Sequence, residues 1–326
     1  MKELLQSRAQ SAAGTAADPA ADPVAVLVAG FAARRPVRAG SVIVTVYGDA
    51  IAPRGGEAAV GSLLPLLDSL GINGSQVRTA LSRLSADGWF DRFPVGRRSY
   101  YGLSPLGRRR FEEATRRIYG GPPLGWDGAW RLVVIPGGPT ARREILRKEL
   151  NWLGFGELSP NALIHPSPDL AALASIVEDL PPPERPVVIA GESMAGSDPE
   201  VLRRLVEDCW DLAGLAAEYE AFCARFTALA EDLATGRSLA PLPAMQARIL
   251  LIHDFRRLVL RDPMLPSELL PDGWIGWRAY GLTAGVYRAL LGPSERWLET
   301  EVKSRDGALP APGQGFRRRF AGSSGR

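Results

Sequence analysis

The run from residue 71 to residue 104, GINGSQVRTALSRLSADGWFDRFPVGRRSYYGLS, restricts the fold of this chain more than any other segment. Within it Val77, Ala80, Leu81 and Leu84 recur at i, i+3, i+4 and i+7, one apolar stripe on a helix of about three turns. A rotation of about 100° per residue puts Ser75, Arg78, Thr79, Ser82 and Arg83 on or beside the opposite face. Asn73-Gly74 is a turn signal and Ser75 the expected N-cap. Asp87-Gly88 is the stop, because Gly88 is free to enter the left-handed region. Residues 62–70 predict a second apolar helix through Leu63, Leu64, Leu66, Leu67 and Leu70, with Pro65 in its first turn, where proline is tolerated. Residues 41–51 predict a third, with Val42, Val46 and Ala50 repeating every four positions.

Two short helices around a glycine-containing turn are what a helix-turn-helix requires. The outer face of the second offers hydroxyls, an amide and guanidiniums: Ser75, Gln76, Arg78, Thr79, Ser82 and Arg83. Arginine pairs with guanine O6 and N7, and the hydroxyls reach bases or backbone. Residues 89–93 and 97–103 follow as aromatic-rich strands joined through Pro94-Val95-Gly96, a hairpin whose tip carries Arg97, Arg98 and Ser99. Charge there reaches a phosphate or the minor groove, so residues 37–120 are expected to form a winged helix-turn-helix.

The charge distribution agrees. Residues 31–120 hold fourteen Arg against seven Asp and Glu, a local balance of +7, whereas the chain as a whole carries only +3. Positive charge concentrated in one third of a chain is the electrostatic footprint of a nucleic-acid site. At 326 residues and 46% hydrophobic content, two to three domains with conventional cores are expected. Cys209 and Cys223 lie in what reads as one helical stretch, too far apart for a disulfide within a continuous helix, and are expected to be reduced thiols in a cytoplasmic protein. No apolar run approaches the roughly eighteen residues that cross a membrane. Residues 24–33 are apolar but follow Asp18 and Asp22 without a basic leader, which argues against a signal peptide. Residues 1–36 are expected to be a disordered extension and residues 306–326 a disordered basic tail, where Arg317, Arg318 and Arg319 add non-specific affinity for DNA or are simply solvated.

Residues 106–119 continue as a basic helix until Gly120-Gly121-Pro122-Pro123 marks a boundary. Beyond it come a strand at 130–135 and a helix at 140–153 with apolar Ile145, Leu146, Leu150 and Leu153. A hairpin at 155–158 and 162–165, a helix at 168–180 and a strand at 187–190 complete the series. That order is β-α-β-β-α-β, so residues 126–195 are expected to be ferredoxin-like. Residues 200–305 are expected to be helical. Leu212, Leu215, Tyr219, Phe222, Phe226 and Leu229 form a stripe on a long helix, followed by helices at 245–260 and 277–291, the last extending past Gly292-Pro293. The expected class is therefore α+β in three parts.

Three blocks carry a resemblance to a known family: VRTALSRLSADGWF with GRRSYYGLSPLGRRRFEEATRRIY, WDGAWRLVVIP with ILRKELNWLGFGELSPNALIHP, and LLIHDFRRLVLRDPMLPSELLPDGWIGWRAY. The chain resembles the PaaX family, repressors of phenylacetic acid degradation operons; its long N-terminal extension departs from the family pattern. The resemblance implies an N-terminal winged helix-turn-helix, a central Cas2-like ferredoxin-like domain and a helical C-terminal domain. It also implies a homodimer that binds operator double-stranded DNA, needs no metal or cofactor, and is released by phenylacetyl-CoA or a related acyl-CoA. In the third block, His253, Arg256 and Arg257 are the candidates for the effector's phosphates, with Trp274 and Trp277 as its aromatic wall; the alternative is an ion pair and an aromatic cap that pack an irregular loop onto the helices. The rival is a metal-dependent nuclease of Cas2-like type. Hydrolysis of that kind needs gathered carboxylates, and only Asp127 precedes the acid-free first strand of the central part, so no enzyme is expected. His165, beside Pro166, is expected to be structural.

Overall fold

The computed structural model describes residues 22–34, 36–121, 125–135, 137, 140–192 and 198–321. Helix α1 (Pro23–Ala32) starts on Asp22, whose carboxylate accepts the Val24 N–H, and it buries Val24, Leu27 and Phe31. Residues 22–34 are therefore part of the fold and not the disordered extension expected of them; residues 1–21 lie outside the described residues.

Helices α2 (Ala39–Val46), α3 (Val60–Ser69) and α4 (Gly74–Ala86) converge on Val42, Val46, Leu63, Leu66, Val77 and Leu81. The helix expected over 41–51 changes pitch: α2 ends at Val46, and Tyr47–Ile51 is a π-helical turn. The wider turn lodges Asp49 in the interior, where it is 1% exposed. Helix α3 starts at Val60, so Pro65 lies inside the helix and not in its first turn. Helix α4 is capped by Asn73 and not by Ser75. The Asn73 Oδ1 accepts from the Ser75 and Gln76 N–H groups at 3.0 Å each, and Gln76 Oε1 accepts the Asn73 N–H at 2.9 Å, a reciprocal capping box. Gly71 and Gly88 end the two helices at φ 78° and 75°, left-handed values that a side chain resists.

Strands β1 (Glu57–Ala59), β2 (Phe90–Val95) and β3 (Arg98–Leu103) pair antiparallel in the order β1-β3-β2. Val95 faces Arg98, which leaves Gly96 and Arg97 as a two-residue turn with Gly96 at φ 57°. Helix α5 (Pro105–Tyr119), capped by Ser104, leads out of this part.

The middle of the chain runs β4 (Ala129–Val134), α6 (Thr140–Trp152), β5 (Gly156–Ser159), β6 (Ala162–His165), α7 (Leu170–Glu178) and β7 (Val187–Glu192). Its strands are antiparallel in the order β5-β6-β4-β7. Alternation splits the sheet's side chains between two cores. Val133 and Leu163 join Leu146, Leu150, Phe155 and Leu173 in a small core under α6 and α7, while Trp130 and Ile164 belong to a larger one. Ile145, expected inside, is 57% exposed.

Helices α8 (Pro199–Cys209), α9 (Leu212–Ala234), α10 (Pro241–Val259) and α11 (Ile275–Glu301) form the last part. The whole α9 stripe from Leu212 to Leu229 is buried, and α11 continues through Pro293 as one helix. Cys209 ends α8 and Cys223 lies in α9, so they do not share a helix; both are free thiols. Of the expected disordered basic tail, residues 306–321 are also part of the fold; residues 322–326 lie outside the described residues. The strands β8 (Lys303–Ser304) and β9 (Gly307–Ala308) pair, a short helical turn spans Gln314–Arg318, and Phe320 is 0% exposed. One contiguous apolar core embraces α1 to α5 and α8 to α11 together with Phe320. Among the described residues no helix is long and apolar enough to cross a membrane.

Candidate nucleic-acid interface

Packing Val77 and Leu81 inward, at 1% exposure each, turns the opposite face of α4 outward. Ser75, Gln76, Arg78, Thr79, Ser82 and Arg83 are all exposed, as the periodicity requires. Gln76 has its carbonyl oxygen committed to the capping box, which leaves its amide N–H groups for a partner. Arg97 and Arg98 are exposed at the hairpin turn. Ser99 is half-buried and accepts from Arg92 Nη2 at 3.2 Å, so at this turn it positions an arginine and does not stand free. Arg78, Arg83, Arg97 and Arg98 enter no ion pair among the described residues, and their charge remains available to phosphate.

Three contributors lay outside the sequence reading. Arg92 is exposed on β2 beside the hairpin turn. On α5, Arg110 stacks over Trp89 at 4.8 Å, which fixes the basic start of that helix against the hairpin's base; the Arg108-Arg109-Arg110 run was the signal available. Arg305, from the turn between β8 and β9, lies 4.0 Å over the Phe93 ring and donates to Glu57 at 2.7 Å, so the C-terminal segment braces the three-stranded sheet.

The five effector candidates are not gathered at one site. His253 is buried, with Nδ1 3.0 Å from Thr45 Oγ1 and its ring edge-on to Phe31. Burial, reinforced by Arg256, holds its pKa down to about 4. Arg256 donates to Thr45 Oγ1 at 2.8 Å and to the Ser41 carbonyl at 2.8 Å, clamping α10 to α2. Trp274 is 5% exposed and packs edge-on against Tyr219. Trp277 is half-buried. Arg257 opens instead on a polar surface depression of about 310 Å³ that it shares with Arg34, Arg225 and Arg261. Asp254, in the same depression, takes a two-pronged bond from Arg34 at 2.8 and 2.9 Å. Thus His253 and Arg256 are internal clamps and Trp274 is packed in the core, so the three do not form an open ligand wall.

Asp127 accepts the Ala129 N–H at 2.9 Å and closes the turn into β4. His165 is structural: its Nδ1 accepts the Ser167 N–H, so Nε2 carries the proton and donates to the Pro263 carbonyl at 2.9 Å. No group of three or more His, Cys, Asp or Glu is placed to hold a metal among the described residues.

A buried network centres on Asp49. Its carboxylate accepts from Arg248 at 2.7 Å, Arg319 at 3.1 Å, Tyr119 at 2.7 Å and Tyr287 at 3.0 Å. Arg248 also reaches Glu295, and Arg54 pairs with the same carboxylate. These contacts tie the π-helical turn to α5, α10, α11 and the C-terminal segment, so the helix-and-hairpin part is bolted to the helical part by charge as well as by core. Arg319 is consequently an internal cation, 4% exposed in its side chain, and is withdrawn from any basic tail.

A basic helix face and hairpin turn joined to an antiparallel β-α-β-β-α-β middle and a helical end define a three-part α+β chain. Residues 38–107 match the family model described as PaaX-like protein. Residues 123–203 match that of the PaaX protein central Cas2-like domain, and 210–300 that of the PaaX-like protein C-terminal domain. The chain belongs to the PaaX family. It is 36% identical to the transcriptional repressor PaaX of Escherichia coli K12 over 288 residues, 88% of this chain and 91% of that one. It is also similar to the solved structure of the uncharacterised protein Rv0674 from Mycobacterium tuberculosis, with a TM-score of 0.49 and 23% identity over 79% of this chain and 96% of the other.

Proposed function

We propose that this chain is a transcriptional repressor of a phenylacetate catabolic operon and not an enzyme. In this reading α2 to α4 and the β2–β3 hairpin act as a winged helix-turn-helix. Arg78 and Arg83 read bases in the major groove, and Arg97 and Arg98 contact phosphate or the minor groove. The observation that carries it is the α4 face, where two arginines with no ion pair and three hydroxyls stand exposed over a buried Val77–Leu81 stripe. The name of the Escherichia coli relative supports the direction of control. The protein acts as a homodimer whose two α4 helices enter successive major grooves, so the operator is palindromic or nearly so. An aryl-acyl-CoA, phenylacetyl-CoA foremost, releases it by binding the released form more tightly than the DNA-bound one.

Mobility shifts on selected duplexes test this. Arg78→Ala or Arg83→Ala relaxes base preference at one position, whereas Arg97→Ala weakens every duplex and lowers the salt slope by about one unit. Equal affinity of the unaltered protein for all duplexes at one salt concentration overturns the reading, as does Mg²⁺- or Mn²⁺-dependent cleavage lost on Asp127→Asn. Release of the operator complex by phenylacetyl-CoA is the expected effector result.

A further inference from the structure

A cavity of about 730 Å³ lies where the three parts of the chain meet. Its walls come from α5 (Arg116, Arg117), from α6 and α7, and from Pro263 and Met264 in the loop after α10. The α6 and α7 side brings apolar Ile145, Trp152, Ala172 and Ile176 to the cavity, with Leu153 just after α6. Ile145 and Trp152 are 57% and 46% exposed, an unusual cost in water for two large apolar groups that a ligand in the cavity would relieve. This volume and lining are those of a site for a small organic ligand.

Two features make the cavity a joint and not a simple surface dent. Arg117 donates to the Trp152 carbonyl on α6 and, at 2.8 Å, to the Asp262 carbonyl after α10, so one side chain on α5 fixes the separation of all three walls. Met264 is held at φ 57°, a left-handed conformation that a non-glycine residue resists, by its N–H bond to Asp262 Oδ1 at 2.8 Å.

The rim carries Arg116 and Lys148 but also Glu113 and Glu149, so its charge does not select an anion. The apolar wall does the selecting. We propose that this cavity is the effector site and takes the acyl end of the thioester, an aromatic or branched apolar group packed on Trp152. The polar remainder leaves through the mouth past Arg116 and Lys148. Because its walls belong to three parts, a ligand that fits them better at another separation shifts the spacing of the DNA-reading heads. The proposal rests on the reading of the chain as a thioester-released repressor.

The test uses the full chain and two readouts. Binding of 1-anilinonaphthalene-8-sulfonate reports the cavity itself, and release of the operator complex by phenylacetyl-CoA reports function. The unaltered protein is expected to bind the dye in competition with phenylacetyl-CoA. Ala172→Trp, which fills the cavity, should abolish competitive dye binding and raise the thioester needed for release at least about tenfold while retaining operator affinity. Ser175→Trp, at an exposed lining position, should do the same and serves if the first variant does not fold. Normal release in both variants overturns the site and leaves the effector reading intact. Dye competition without release in the unaltered protein keeps the site and overturns the effector reading. No competition at all overturns the site.

Discussion

Arg248 is 0% exposed and supplies bonds to Asp49, Glu295, Ser294 and Tyr287 at once. Removing one partner of such a buried set leaves uncompensated charge, at a cost of about 3–5 kcal/mol. Arg248→Met is therefore expected to lower the urea midpoint by that equivalent, and Asp49→Asn combined with it to cost less than the two changes summed. Additive losses would show that the network is not coupled. The two histidines set a pH dependence. Burial holds the folded pKa of His165, opposed in part by its bond to Pro263, and that of His253, with Arg256 adding to burial, at about 4, against 6.5 as the ordinary value. Each is neutral when folded and takes up a proton more readily when unfolded. The stability tied to them is present above pH 6.5 and is lost as the pH falls toward 4, by up to about 1.4 kcal/mol per pH unit for each. His165→Gln should halve their joint contribution to the fall in urea midpoint between pH 7 and pH 5. Asp262, whose carboxyl burial pushes up, titrates in both proteins and cancels in the difference. An unchanged slope would mean that His165 is charged in the folded state. His165 reads as structural from its place beside Pro166, whereas His253 does not, because a buried His and a ligand-binding His look alike in sequence; what holds them is the Pro263 carbonyl in one case and Thr45 in the other.

Among the elements, those with a strong apolar period were legible. The α4 face and the α9 stripe fall where spacing put them, because local periodicity decides which side a helix buries. Residues 22–34 and the C-terminal segment were not, since their partners lie far off in the chain: Arg34 pairs with Asp254, and Arg319 with Asp49. Three of the effector candidates, His253, Arg256 and Trp274, are turned inward for a related reason. Arginines beside tryptophans suit a ligand wall and an internal clamp equally, and only the position of α2 turns Arg256 into a clamp. The C-terminal segment thereby becomes a strap. Phe320 is 0% exposed and rests against Tyr119, Phe255, Tyr280 and Tyr287. Phe320→Ala should cost about 3–5 kcal/mol, read as a lower denaturation midpoint, and a chain ending at residue 312 should lose at least as much. A loss below about 1 kcal/mol would mean that the segment is not held in solution.

At the scale of the whole molecule, the helix-and-hairpin part and the helical part share one core, whereas α6 and α7 close a second, smaller one over the central sheet. Cooperativity follows shared burial, so elements around one core unfold together and those around another form their own unit. Among the described residues the two cores meet at the sheet, whose opposite face sends Trp130 and Ile164 into the larger core. Calorimetry is therefore expected to show two transitions. Leu150→Ala, at a 0% exposed position of the small core, removes about 2–5 kcal/mol there and should lower one of them by about 10 °C or more. Phe222→Ala, at a 1% exposed position of the large core, should lower the other. Hydrogen exchange assigns them: in Leu150→Ala, amides of α6 and β6 should lose protection while those of α4 and α10 keep theirs. A single transition lowered by both variants, with uniform loss of protection, would show that Trp130 and Ile164 couple the cores into one unit. The distinction bears on control. A central part that can loosen on its own is able to change its seat against α5 and the Pro263–Met264 loop without melting α4, so the Leu150→Ala protein should still bind operator at temperatures where only its central part is unfolded.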